Sequence, residues 1–373
     1  MSVEKEGWTY KLLNEVCDKG SSNIVINKLD GNDGDYPLYG ANGLVKKIDF
    51  FHQDKPYLGI VKDGAGVGRV NIYPAFSSLV GTMQYIFAKK ECLLEYIKYF
   101  LVKLDLSHCV SGATIPHIYF KDYGKERIPV PPIPTQQSIV SELDKINELI
   151  SLKKSQLNDL DALAQSIFYD MFGDPITNEK EWEVKKLGEV CEATSSKRIF
   201  AEEYTESGIP FYRGKEITEL SKNLPITLEL YISNERYMEI KKDFGIPMPN
   251  DILITAVGTI GNIWIVENTQ PFYFKDGNII WLKELDKQII SIFFKTILTI
   301  LIEAFKLEMA RGAAYSALTI ANLKRMNIPL PPLSLQHQFA ERVESIERIK
   351  QQVQTAIKDL ETLLASRMQY WFD

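Results

Sequence analysis

Ile128-Pro129-Val130-Pro131-Pro132-Ile133-Pro134-Thr135-Gln136-Gln137 occurs again, with few changes, as Ile328-Pro329-Leu330-Pro331-Pro332-Leu333-Ser334-Leu335-Gln336-His337. Each copy leads into a long apolar-periodic segment, ending Phe172-Gly173 in the first and Phe372-Asp373 in the second, at a constant offset of 200 residues. In the first, apolar residues fall at Ile139, Leu143, Ile146, Ile150, Leu157, Leu160, Ala164, Ile167 and Met171, with Lys153 as a charged interruption. The second gives Phe339, Val343, Ile346, Val353, Ile357, Leu360, Leu364 and Trp371, interrupted by Lys350 and Arg367. This is a heptad seam sustained over about five heptads, the pattern that keeps one stripe facing a partner helix. Neither helix buries its stripe alone, so the two are predicted to pair with each other.

The proline-rich leads are extended, because proline fixes its own φ and restricts the residue before it. Thr135 and Ser334 are the expected N-caps, and Gly173-Asp174-Pro175 reads as a helix stop followed by a linker. A charged residue on the seam either fixes register or snorkels at a frayed edge. The register reading is taken for Lys153 and Lys350.

The repeat extends beyond the helices. Trp8-Thr9-Tyr10-Lys11-Leu12-Leu13-Asn14-Glu15-Val16-Cys17 matches Trp182-Glu183-Val184-Lys185-Lys186-Leu187-Gly188-Glu189-Val190-Cys191 at an offset of 174, so the second globular segment is 26 residues longer than the first. Short β-prone runs broken by glycines, such as Tyr57-Leu58-Gly59-Ile60-Val61, fit an α/β segment with a curved, mostly antiparallel sheet. Glu91 to Leu106 and Lys287 to Ala304 read as the helix of each segment. Near the end of each lies a matched turn, Ser111-Gly112-Ala113-Thr114-Ile115-Pro116 and Arg311-Gly312-Ala313-Ala314-Tyr315-Ser316. The resulting division is 1–127 and 182–327 for the globular segments, 128–173 and 328–373 for the proline-led helices, and 174–181 for the linker.

Composition is globular, with 45% hydrophobic and 25% charged residues, and the length calls for more than one core. No apolar run is long enough to cross a bilayer and the start lacks a secretory pattern, so a cytoplasmic protein with no membrane contact is expected. Cys17, Cys92, Cys109 and Cys191 show no CxxC and no metal-ligand spacing, which predicts reduced thiols and no metal. The net charge of −6 is unusual for a nucleic-acid binder. Most of it lies in residues 128–181, which carry 4 Lys+Arg against 9 Asp+Glu, leaving the globular segments near neutral.

Two variable segments, each followed by a PPI/L-x-x-Q lead and a long helix, with Tyr39-Gly40-Ala41-Asn42-Gly43 near the start of one and Gly112-Ala113-Thr114-Ile115-Pro116 near its end, resemble the specificity subunit of type I restriction-modification systems. The likeness covers essentially the whole chain. It implies an α/β (α+β) fold class: two target recognition domains separated by two long helices in an antiparallel coiled coil, with a pseudo-two-fold internal repeat. It also implies that each domain reads half of a split sequence on double-stranded DNA, that the helices bind two DNA adenine methyltransferase (modification) subunits, and that restriction subunits join that core. S-adenosylmethionine, ATP and Mg are then expected on the partner subunits, with no cofactor bound by this chain and no catalytic residue in it. A helix of about 35 residues spans roughly 50 Å, and DNA advances about 3.4 Å per base pair, which suits two short blocks around an unread gap. The second half departs from the first, with Ile209-Pro210-Phe211-Tyr212-Arg213-Gly214 in place of Tyr36 to Gly43. Other readings are the specificity subunit of a different restriction-modification type and a coiled-coil scaffold without DNA contact.

The remaining motifs are weaker. Gly64-Ala65-Gly66-Val67-Gly68 is G-x-G-x-G followed by a strand-like run, which favours a tight turn over a nucleotide site. Val257-Gly258-Thr259-Ile260-Gly261-Asn262 is its partner turn. His52, His108, His117 and His337 lie far apart with no adjacent nucleophile. Methyltransferase, phosphate-loop and nuclease motifs are missing. Candidate DNA contacts are polar and basic residues at turns and strand ends: Lys46, Lys47, Lys62, Arg69 and Thr114 in the first domain, and Arg213, Lys215, Thr255, Asn262 and Arg311 in the second. Arg and Lys can bridge guanine O6/N7, Asn can pair with adenine, and the others can hold phosphates. For each, the competing reading is a solvated loop side chain.

Overall fold

The computed structural model describes residues 5–112, 114–267, 270–311 and 317–373. Ala113 of the first matched turn and Gly312 to Ser316 of the second lie outside the described residues. The chain divides into two compact units, Met1–Gln156 with Val353–Asp373, and Leu157–Gln352. Each unit therefore contains one globular module and one half of each long helix. The unit boundaries fall inside the helices, unlike the segment boundaries read from the repeat.

The first unit begins with β1 (Thr9–Leu12), α1 (Leu13–Val16), β2 (Cys17–Ser21), β3 (Tyr36–Gly40), β4 (Gly43–Ile48), β5 (Tyr57–Val61), β6 (Val70–Tyr73), β7 (Ser78–Leu79) and β8 (Met83–Ala88). It continues with α2 (Leu94–Leu104), α3 (Phe120–Tyr123), β9 (Arg127–Val130) and α4 (Ile133–Phe172). Besides a two-stranded β1-β9 pair, two larger sheets form instead of one: an antiparallel β2-β8-β5-β6 and a β4-β3-β7 in which β3 and β7 run parallel. All five residues of β5 are buried, so this apolar run is a central strand. It packs with α2 into the main core, where Leu58, Ile60, Ile86, Tyr96, Ile97 and Phe100 meet. α2 stops short of Leu106 because Asp105 turns to φ +49°, outside the helical region.

The proline lead does more than stiffen the chain. Arg127–Val130 pairs antiparallel with β1, Thr9 opposite Val130, and closes the module on itself. Proline is tolerated there because the sheet has only two strands and each is an edge.

The second unit repeats this plan with β10 (Glu183–Lys186), α5 (Leu187–Val190), β11 (Glu192–Thr194), β12 (Tyr204–Thr205), β13 (Ile209–Tyr212), α6 (Gly214–Ser221), β14 (Tyr231–Ile232) and α7 (Asn234–Asp243). β15 (Ile252–Thr255), β16 (Ile263–Ile265), β17 (Tyr273–Phe274), β18 (Ile279–Lys283), α8 (Ser291–Ala310), α9 (Ile320–Lys324), β19 (Asn327–Leu330) and α10 (Leu333–Phe372) follow. The order β11-β18-β15-β16 reproduces that of the first antiparallel sheet, and β10 pairs with β19 as β1 does with β9. The offset between matching strands jumps from 173 at β3/β13 to 195 at β5/β15. Most of the extra length is thus α6, β14 and α7, standing where the first module has the β4 hairpin.

Both long helices start earlier than the expected caps. Pro132 O accepts from Thr135 N and Gln136 N (2.9 and 3.1 Å), and Pro332 O from Leu335 N and Gln336 N (2.9 and 3.2 Å). Thr135 and Ser334 accordingly sit inside the first turn. Pro134 is accommodated there because the first N–H groups of a helix have no intrahelical acceptor. α4 ends at Phe172, where Gly173 takes φ +75° and donates to Tyr169 O at 2.8 Å.

Within each unit the helices run antiparallel. In the first, Glu142 meets Arg367 and Lys154 meets Glu361 at 3.0 Å. In the second, Asp161 meets Lys350 at 2.7 Å and the Phe168 and Phe339 rings stand 5.6 Å apart. Ile139, Leu143, Ile146, Ile150, Phe339, Ile346, Val353 and Ile357 are buried, while Leu157, Leu160, Ile167, Val343, Leu360 and Leu364 are half-buried. The polar seam residues divide differently from the expectation. Lys153 bonds only Gln156 of its own helix among the contacts seen, at 3.1 Å. Lys350 and Arg367 cross to the other helix, Arg367 gripping Glu142 with two nitrogens.

Candidate nucleic-acid interface

In the first module the loops after β5 and before α3 are stitched together. Gly64 N donates to Pro116 O (2.9 Å), Ile118 N to Lys62 O (2.9 Å), and Ser111 and His117 exchange backbone bonds of 2.9 and 2.8 Å. Gly64, Gly66 and Gly68 all have φ between +84° and +88°, which forms a tight turn in which side chains are disfavoured. Arg69 folds over this turn, its Nε donating to Gly66 O and a terminal nitrogen to Ala65 O, both at 3.2 Å. Its guanidinium has no carboxylate partner among the contacts seen and is exposed. On its other side Arg69 lines a shallow concavity of about 540 Å³ with Asn42, Gly43, Asn71 and Tyr73. Asn71 was not singled out from sequence, although it lies two residues beyond Arg69 in an extended run and so shares its face. Burial pushes the Tyr73 hydroxyl up, keeping it neutral.

The other first-module candidates are placed less favourably. Lys62 pairs with Asp63 at 3.7 Å. Lys46 reaches Leu29 O and Asp33, both at 3.2 Å, so it ties β4 to the loop that precedes β3. Lys47 and Thr114 are exposed.

In the second module two sequence candidates leave the set. Thr255 is fully buried (0% exposed), and its hydroxyl is consumed by Thr259 O and Asn262 N inside the Gly258–Gly261 turn. Asn262 spends its Nδ2 on Thr259 O at 2.9 Å, with Thr218 and Thr255 hydroxyls at 3.2 and 3.3 Å. Both residues build the turn; short polar side chains at a strand end serve this purpose as readily as base reading. Arg213 is held between buried Glu216 (2.8 Å) and Glu229 (2.7 Å), and Lys215 shares Glu229 at 2.7 Å. Hydrogen bonds from Lys215 and Arg213 hold the Glu229 carboxyl down at about 2. The pair therefore presents little free positive charge. Arg311 is exposed at the C-terminal end of α8.

A family model for the type I restriction modification DNA specificity domain matches residues 5–162 and 179–360. A protein assigned as a type I restriction enzyme specificity subunit in Haemophilus influenzae is 26% identical over 324 residues, covering 85% of this chain and 81% of the relative. The MjaVIII type I specificity subunit of Methanocaldococcus jannaschii is 25% identical over 334 residues, 81% of this chain and 76% of the relative. In fold, the chain is similar to a type I S subunit from M. genitalium, with a TM-score of 0.58 at 17% identity over 100% of this chain and 98% of that one. A structure solved for the assembly and conformational transition of the type I R-M system gives 0.60 at 16% identity, over 100% and 99%. A twice-repeated sheet module with paired proline-led helices defines a specificity-subunit architecture. The chain belongs to the type I restriction modification DNA specificity domain family, as a type I specificity subunit, the non-catalytic component that recognises DNA. Among the described residues no helix is long and apolar enough to cross a membrane.

Proposed function

We propose that this subunit reads a split, asymmetric target on double-stranded DNA, one block per globular module, and that its paired helices carry two DNA adenine methyltransferase subunits to which restriction subunits join. The supporting observation is a repeated sheet order carrying unlike loops: β11-β18-β15-β16 repeats β2-β8-β5-β6, while α6 and α7 stand where the first module has a hairpin. A shared scaffold with different rims reads two different blocks, so the target need not be palindromic. In the first module Arg69, Asn71 and Asn42 are the readers, with Lys47 and Thr114 on phosphates. In the second, Arg311 contacts DNA and the Arg213–Lys215–Glu229 cluster positions its loop. Exposed Leu149, Leu152, Leu163, Ile349 and Leu363 supply apolar surface for the methyltransferase subunits. S-adenosylmethionine, ATP and magnesium belong to those partners, and the complex works in the cytoplasm.

Co-expression with the methyltransferase subunit of the same operon, followed by mapping of methylated adenines across a host genome, tests this. One asymmetric split motif is expected, and exchange of residues 182–327 for those of a relative should alter one block only. Absence of methylation from a verified, stable complex would favour a scaffold without DNA contact.

A further inference from the structure

We propose that His108, Cys109 and Glu126 form a site for one divalent cation of the zinc class, clamping the base of the Ser111–His117 loop. Their ligand atoms lie within 4.8 Å of one another. His108 Nε2 and Glu126 Oε1 are 3.2 Å apart. In a tetrahedral site with bonds of about 2.0–2.1 Å, neighbouring ligand atoms stand roughly 3.3 Å apart, so this pair already has the spacing of adjacent ligands. The other ring nitrogen, Nδ1, is 2.8 Å from Asp105 O. A backbone carbonyl at that position fixes the tautomer and aims Nε2, the arrangement found behind metal-bound histidines.

The surroundings hold this geometry. Asp105 adopts φ +49° and its carboxylate accepts from Ser107 N at 3.2 Å, which sets the short 3-10 turn from Leu106 to Cys109. Glu126 is pinned through its backbone, N to Tyr123 O (3.1 Å) and O from Leu13 N (2.9 Å). Cys109 is half-buried against the main core. Sequence spacing hid the site, because the third ligand follows 17 residues later and is brought back only by the turn through α3. One thiolate, one imidazole and one carboxylate select zinc-like ions over magnesium or calcium, and leave a fourth position for water. Binding displaces the Cys109 thiol proton: the S–H bond breaks, a sulfur–metal bond forms from the same electron pair, and the proton goes to solvent.

Cobalt(II) titration of the reduced, chelator-treated full chain tests the site. A thiolate-to-cobalt charge-transfer band should saturate at one equivalent and disappear on adding zinc. It should be lost in Cys109→Ser and, independently, in His108→Asn, while circular dichroism shows each variant folded. Cys17, Cys92 and Cys191 are buried and do not supply the band. Absence of a saturable band in the wild-type chain, or a band unchanged in either folded variant, overturns the site and leaves His108 and Glu126 as an ordinary surface pair. If Cys109→Ser fails to fold, the His108→Asn titration decides in the same two ways.

Discussion

Gln136 and Gln336 join each long helix to its module. Both are fully buried. Gln136 Oε1 accepts from Leu93 N (2.9 Å), and its Nε2 donates to Glu91 O (2.8 Å) and Pro131 O (2.9 Å). Gln336 makes the same three bonds to Ile290 N (3.0 Å), Gln288 O and Pro331 O (both 2.9 Å). An apolar side chain there strands three backbone groups, so Gln136→Leu should cost about 1–3 kcal/mol or more. Exposed Gln137→Ala should stay within about 0.5 kcal/mol. Thermal unfolding of the two variants makes the comparison; equal losses would show that Gln136 does not tie the helix down. The glutamine was visible in sequence, as an invariant of the two leads. Its use was not, because two of its three partners lie more than 40 residues away. Thr255 shows the converse: polar at a strand end, it read as a DNA contact until the turn closed over it.

At the level of elements, periodicity carried the most information. The seam was legible because burial repeats every three or four residues, whereas β9 and β19 were hidden by prolines that usually mark non-strand chain. Polar seam positions depend on the opposite helix, which local sequence does not specify. Arg367 at Glu142 is such a case. The hydrogen bond from Arg367 chiefly lowers the Glu142 pKa, so the pairing stabilises the fold above the unfolded glutamate value of about 4.3 and is lost as pH falls through the lower folded value. The melting-temperature gap between wild type and Glu142→Gln should therefore narrow as pH drops from about 6 to about 3. A constant gap would remove the ion pair from the explanation. The glycine turn gives a second contrast. Gly258 and Gly261 have φ of +75° and +90°, but a Cβ at Gly258 meets nothing within 4 Å while one at Gly261 meets Ile302 Cγ2 at 2.7 Å. Gly258→Ala should cost about 1–2 kcal/mol from backbone conformation alone, and Gly261→Ala clearly more, because the fully buried Ile302 side chain on α8 has to give way. Chemical unfolding of both variants checks the order.

For the whole molecule, a net charge of −6 sits beside a role in DNA recognition, and the two are compatible if binding depends on where charge is placed. Counterion release counts the phosphates a protein neutralises at its contact face and is blind to acids elsewhere. The sequence located most of the acidity in the first helix and the linker after it, residues 128–181, but it could not show which cations were already spoken for. Arg213 and Lys215 are tied to carboxylates, whereas Arg69 meets backbone oxygens. If Arg69 rests on a phosphate in the assembled complex, Arg69→Ala should reduce the slope of log affinity against log salt by about 0.9. If it reads a base, the same substitution should relax specificity at one position, at a cost of about 1–3 kcal/mol, with little change in slope. Glu148→Gln changes net charge by one unit at an exposed helix position, and should leave both slope and specificity unmoved. Filter-binding or fluorescence titrations of the three complexes across salt separate these outcomes. A shift in slope with Glu148→Gln matching that of Arg69→Ala would mean that overall charge governs binding, and the loop face around Arg69 would lose its claim.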